Sequence, residues 1–126
     1  MPHRDEYSET AGFKIMCCEK KYLFIPDIDK WEKWNRNIID EVKSADAALL
    51  DGTFYDSDEL PGRKITEVPH PLVSETMELF RNESMNIKSK IFFIHLNHTN
   101  PLLWDSEART EFIEHGFNLA VQGQKF

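Results

Sequence analysis

No apolar run in the 126-residue chain approaches the ~18 consecutive residues that a membrane-spanning helix needs. The opening stretch, MPHRDEYSET, also lacks the basic, apolar and small-residue succession of a secretory signal. A cytoplasmic protein with no membrane partner is the expectation. Cysteine is scarce: Cys17 and Cys18 are the only two, and they are adjacent. Adjacency disfavours a mutual disulfide and fits a reducing compartment, with each thiol packing as a small apolar group on opposite faces of a strand. Positive charge is short as well, 15 basic against 22 acidic residues for a net charge of -7. That balance argues against a general affinity for phosphate backbones, and no basic run with interleaved aromatics reverses it, so a nucleic-acid partner is unsupported. There is no internal repeat and no low-complexity segment.

What remains is an ordinary globular composition, 40% hydrophobic and 12% aromatic, at the length of one domain. Gly12–Cys18 and Lys21–Ile25 are short strand-like runs separated by Glu19-Lys20, the spacing of a tight hairpin without the favoured glycine. From Trp31 onward, Trp31, Trp34, Ile38, Ile39 and Val42 recur at helical spacing, with Asp29 placed to cap. AALLDGTF, residues 47–54, is a continuous apolar strand of the kind buried on both faces, breaking into a turn at Asp51-Gly52. A polar loop over residues 55–69 follows. HPLVSETMELFRNES, residues 70–84, reads as a helix with Pro71 in its first turn. KIFFIHL is the next strand, then a helix capped by Asp105 or Ser106 and stopped at Gly116, and FNLAV is a last short strand. The order predicts an α/β sheet with right-handed crossovers and about three helices.

In an open α/β sheet, ligands collect outside the carboxyl ends of the strands, where loops project reactive side chains from fixed positions. Three strands here end in polar groups. YLFIPDID delivers Asp27 and Asp29, AALLDGTF delivers Asp51, and IFFIHLNHTN delivers His95, Asn97 and His98; His70 stands just before a helix. Carboxylates and imidazoles converging from several strand ends are the groups that hold a divalent transition metal. Each also has a plainer role. Asp29 and Asp51 suit turns and caps. His95 suits a core histidine bonded to backbone, and His98 can fill a hydrogen-bonded loop beside Asn97, Thr99 and Asn100. His115, just before Gly116, suits a cation at a helix C-terminus, and Trp31 and Trp34 suit core packing.

Taken in order, PHRDEYSETAGF, YLFIPDIDKW, ALLDGTFYDSDEL, PHPLVSETMELF and FFIHLNHTNPLLW resemble the C-terminal half of the metallo-β-lactamase fold. The likeness is greatest to the coenzyme PQQ synthesis protein B family, with ribonuclease Z and its phosphodiesterase relatives next. It implies half of an αββα sandwich with a mixed sheet. It implies that Asp27 is the aspartate bridging two metal ions, with Asp29 as an alternative register, and that His95 ligates the second metal. Asp51 and His70 match the acid and histidine pair that transfers protons, a carboxylate beside a histidine fixing its tautomer and raising its basicity. His3, Arg4 and Glu6, with Asn97 and His98, would line the substrate side. The metal implied is zinc, with iron or manganese as alternatives, acting on a small-molecule or peptide substrate.

The H-x-H-x-D-H motif that supplies most of the first metal site in that superfamily is absent, since no two histidines here are one residue apart. Asp27 and His95 alone cannot hold a dinuclear site, because tight binding needs about four ligands around each zinc-like ion. The expectation is therefore a partial chain, incomplete as an enzyme, whose exposed sheet face meets its missing N-terminal half or a second copy of itself. Two alternatives stand beside it: a non-catalytic α/β interaction module, and a ribonuclease Z-like phosphodiesterase.

Overall fold

The computed structural model describes residues 12–126. The element order matches the expected one, with one helix more. Strands β1 (Phe13–Cys17) and β2 (Lys20–Ile25) are followed by helix α1 (Ile38–Lys43) and strand β3 (Ala47–Asp51). Helices α2 (Val73–Leu79) and α3 (Met85–Lys88), strand β4 (Ile91–Ile94), helix α4 (Ser106–Glu114) and strand β5 (Asn118–Leu119) complete it. The strands form one mixed sheet in the order β1-β2-β3-β4-β5, with β1 antiparallel to β2 and every later pairing parallel. No helix among the described residues is long and apolar enough to cross a membrane.

Several local expectations need correction. The hairpin turns on Cys18-Glu19, not Glu19-Lys20, and both residues take positive φ, 53° and 66°. A two-residue hairpin loop whose central residues are both left-handed matches strand twist, which is why glycine or asparagine usually stands there. The turn therefore forms without its favoured residues, and both cysteines are exposed rather than packed. The run from Trp31 is a 3₁₀ turn, Trp31–Lys33, separated from α1. Asn37, not Asp29, caps α1, its side chain accepting from the N–H groups of Ile39 and Asp40. The single helix expected over residues 70–84 ends at Leu79, and a separate α3 begins after Ser84, whose hydroxyl accepts from Ile87 N. Asp105 caps α4 as expected, and Gly116 leaves it at φ 99°.

Strand alternation puts Leu23, Ile25, Ala48, Leu50, Ile91 and Phe93 on one sheet face. These residues join Ile38 and Val42 of α1, Val73 of α2, Phe80, Phe112 of α4 and Phe117 in one buried core. The helices therefore cover one face. Residues of the opposite face are less well covered: Phe13 and Ile15 are 55% and 47% exposed, while Tyr22, Phe24, Leu49, Phe92 and Ile94 are half-buried. The ring of Phe126 packs edge-on against Phe92 and Tyr22 there.

Where β3 gives way to the following loop, Gly52 lies against β4. Its N–H donates to Ile94 O at 2.8 Å, and a Cβ built on it would stand 2.9 Å from Phe93 Cβ and 3.0 Å from Ile94 O. Neither neighbour is the free end of a flexible side chain. Gly52→Ala is expected to destabilise the chain by about 1–3 kcal/mol, the usual range for overpacking, read as a lower urea midpoint with unchanged slope; an unchanged midpoint would contradict this packing.

Candidate functional site

Parallel strands present their carboxyl ends at the same rim. Asp27 stands two residues beyond β2, Asp51 is the last residue of β3, and His95 is the first beyond β4. β2 and β3 pair Ile25 with Leu50, and β3 and β4 pair Asp51 with Ile94, so the three emerge from adjacent strands. His70 arrives from the loop that precedes α2.

Asp51 is the centre of this cluster. It is fully buried, and its Oδ1 accepts from Thr53 N at 2.9 Å and from Thr53 Oγ1 at 2.7 Å. Its Oδ2 accepts from Ile28 N at 3.1 Å and lies 2.9 Å from His70 Nδ1. An ionised carboxylate has about four acceptor positions, and four donors use them. That set of bonds is what allows a charge to sit in a protein interior. With the carboxylate ionised, the short contact makes His70 Nδ1 the donor, so the Nε2 of the neutral ring keeps its lone pair.

Asp27 joins from the other side, its Oδ1 3.3 Å from His70 Nδ1. The loop carrying it is tied to α2 twice. Lys30, 2% exposed, reaches Glu75 Oε1 at 2.6 Å, and Trp31 Nε1 donates to Thr76 Oγ1 at 2.8 Å. Since His70 stands just ahead of α2, these bonds hold Asp27 and His70 in one place. Glu75 also accepts from Leu72 N at 2.8 Å, which supplies the acceptor that the N-terminus of α2 lacks at Leu72 itself.

His95 takes φ 64°, a left-handed conformation uncommon in non-glycine residues, although histidine joins asparagine and aspartate in adopting it more than most. Its Nδ1 lies 3.1 Å from Thr53 Oγ1, and its ring centroid lies 6.4 Å from that of His70. The imidazole is exposed. Beyond it, Asn97 N donates to Thr53 O, and Asn97 Nδ2 donates to Thr99 Oγ1, which in turn donates to Glu59. Asn100 is buried, donates to Gly52 O at 2.8 Å and accepts from Leu102 N, starting the 3₁₀ turn at Pro101. The polar run after β4 is thus partly a loop scaffold and partly a presentation of His95.

The structure brings Asp27, Asp51, His70 and His95 to one rim. Asp27, Asp51 and His70 can place ligand atoms within 4.8 Å of one another. Asp29 faces elsewhere: it accepts from Lys30 N at 2.7 Å and pairs with Lys33, so it is not an alternative to Asp27. Asn97 lies beside the cluster through its bond to Thr53, and His98 is exposed on the same loop. His3, Arg4 and Glu6 lie outside the described residues. His115 is the C-cap of α4, as a helix-terminal cation would be, with Glu111 at 3.8 Å. Two features were missed from sequence. Thr53 is one; its signal is the Asp-x-Thr spacing that lets one residue return both N–H and O–H to the same carboxylate. The Lys30–Glu75 pair is the other, with no signal across a separation of 45 residues.

Set against known proteins, the chain has similar sequences and a similar fold. Coenzyme PQQ synthesis protein B of Cupriavidus necator is 32% identical over 71% of this chain and 31% of its own length. The protein of the same description from Rhizobium meliloti is 27% identical over 95% of the chain and 40% of its own. The crystal structure of Zn(2+)-bound PqqB from Methylobacterium extorquens superposes with a TM-score of 0.64 at 24% identity, over 91% of this chain and 42% of that one. The chain is PqqB-like and has the corresponding part of the PqqB fold. No family model matches it. It spans less than half the length of these relatives, and the expected mixed α/β sheet is the fold observed, with four helices where about three were expected.

Removing the Asp51 carboxylate would strip four donors of their acceptor in a buried place. Asp51→Ala is expected to cost about 3–5 kcal/mol, the range for breaking a buried charged pair, and Asp51→Asn less, because it keeps one oxygen. Urea unfolding of the two variants measures this; equal stability to the parent chain in both would refute the central placement of Asp51.

Proposed function

We propose that this chain is the C-terminal half of a PqqB-like protein, in which Asp27 and His95 contribute to a divalent-metal site completed by the other half and the His70–Asp51 pair transfers protons. The reading is carried by the His70 Nδ1–Asp51 Oδ2 contact of 2.9 Å beside Asp27 at a rim also reached by His95. Asp27 and His95 offer an oxygen and an imidazole donor of the kind zinc takes, and zinc is the ion named for the Methylobacterium extorquens PqqB structure. Asp51 lies within the triangle of possible ligands but has its acceptor positions filled, so it orients His70 rather than binding metal.

The residues fit the metal in part. Asp27 and His95 are two donors where a structural zinc has four and a catalytic zinc three plus water. The remaining ligands come from the other half of the sandwich, carrying the H-x-H-x-D-H motif. That half would dock on the sheet face bearing Phe13, Ile15, Tyr22, Phe24 and Phe92, where apolar side chains are exposed or half-buried. When bound, the metal would supply an activated water or, in the iron case, dioxygen chemistry. His70, with its Nδ1 committed to Asp51, would give or take a proton at Nε2. A cavity of about 630 Å³, lined by Tyr55, Glu59 and Trp104 and by Thr99 of the loop that follows His95, has the size for a small or peptidic substrate.

Calorimetric titration of the metal-free chain with zinc tests the assignment. Weak binding is expected, reduced at least about tenfold by Asp27→Ala and by His95→Ala, and unchanged by His115→Ala, which alters an exposed histidine far along the chain. Absence of binding, or the same affinity in all three variants, would overturn the metal assignment.

A further inference from the structure

The contacts around Thr53 settle more than its own position. Its Oγ1 lies 2.7 Å from Asp51 Oδ1, 3.1 Å from His95 Nδ1 and 3.4 Å from His70 Nδ1. A hydroxyl has one proton to give. The carboxylate is the nearest and the only charged acceptor of the three, and charge-assisted bonds are shorter and about twice as strong as neutral ones. The proton therefore goes to Asp51. His70 Nδ1 already donates to the other oxygen of the same carboxylate. What is left on Thr53 Oγ1 is acceptor capacity, and His95 Nδ1 is the group placed to use it.

We infer that Thr53 is a positioning residue: its hydroxyl passes the polarity set by Asp51 to His95, holding that imidazole in the Nδ1–H tautomer so that Nε2 keeps the lone pair. One buried carboxylate thereby orders both histidines, His70 directly and His95 through Thr53. The inference deepens the metal reading, because only a deprotonated ring nitrogen can bind a metal. It also explains why His95, on an exposed ring and a left-handed backbone, is held at all: Thr53 is 8% exposed and is fixed by its own N–H on Asp51 and its carbonyl under Asn97 N. A valine has the shape of threonine without the hydroxyl, and a serine has the hydroxyl without the methyl, so the pair separates the bond from the packing.

The experiment is ¹⁵N-imidazole correlation NMR on the full metal-free chain at about pH 8, where a histidine is neutral. His95 is expected as the Nδ1–H tautomer in the parent chain and in Thr53→Ser. In Thr53→Val it should move toward the Nε2–H form usual for a free imidazole, while His70 keeps Nδ1–H. Zinc affinity should fall about tenfold or more in Thr53→Val and recover in Thr53→Ser. An Nε2–H tautomer for His95 in the parent chain overturns the inference with no variant needed, as does an unchanged tautomer in a folded Thr53→Val. A chain that shows the expected tautomers but binds no zinc would overturn the metal reading and leave the Thr53 relay standing.

Discussion

The carboxylate of Asp51 takes four hydrogen bonds at the end of a buried strand, and the arrangement of the rim follows from them. Ile28 N ties the loop after β2 to it, the two donors of Thr53 tie the turn after β3, and His70 ties the loop before α2. Three loops that would otherwise be set only by their own turn chemistry converge on one charge. The charge is tolerated in the interior because every acceptor position is filled, and the same saturation removes it from competition for a metal. An aspartate with open lone pairs at this place would be a ligand; with four donors it is a frame for the groups around it.

A second layer holds the frame against the helices. The Lys30–Glu75 ion pair is largely buried on the lysine side, and Trp31 adds a hydrogen bond to Thr76, the next residue along α2. A buried ion pair adds little net stability over apolar packing, yet removing one partner is costly, so such a pair fixes arrangement more than it adds energy. Here the arrangement fixed is the approach of Asp27 to His70. The sheet then supplies direction: parallel β2, β3 and β4 send their carboxyl ends to one side, and the helices packed on Ile25, Leu50 and Phe93 keep that side level.

Much of this was legible from the order of residues. Polar groups at the ends of three apolar runs marked the rim, and the α/β sheet followed from strands alternating with helical periods, with Asp27, Asp51 and His95 at the ends of adjacent strands. What escaped did so for physical reasons. The hairpin at Cys18-Glu19 adopts left-handed angles on residues that do not favour them, because strand pairing outweighs local preference. The Trp31 run has helical spacing but ends as a 3₁₀ turn, its apolar residues satisfied by packing on the core without a continuous helix. The helix expected over residues 70–84 stops at Leu79, and α3 starts separately at Met85, where Ser84 caps it. The Asp-x-Thr spacing signals the bond of Thr53 to Asp51, but its other partners, His70 and His95, lie 17 and 42 residues away and leave no local trace.

Zinc located in crystals of this chain by anomalous diffraction at the metal edge is the most direct test of the division of labour at the rim. The account predicts a zinc peak at about 2.0–2.2 Å from an Asp27 oxygen and from a His95 nitrogen, with Asp51 still bonded to Ile28, Thr53 and His70. A zinc ion coordinated by Asp51, or no peak at the rim in crystals that hold zinc, would contradict it.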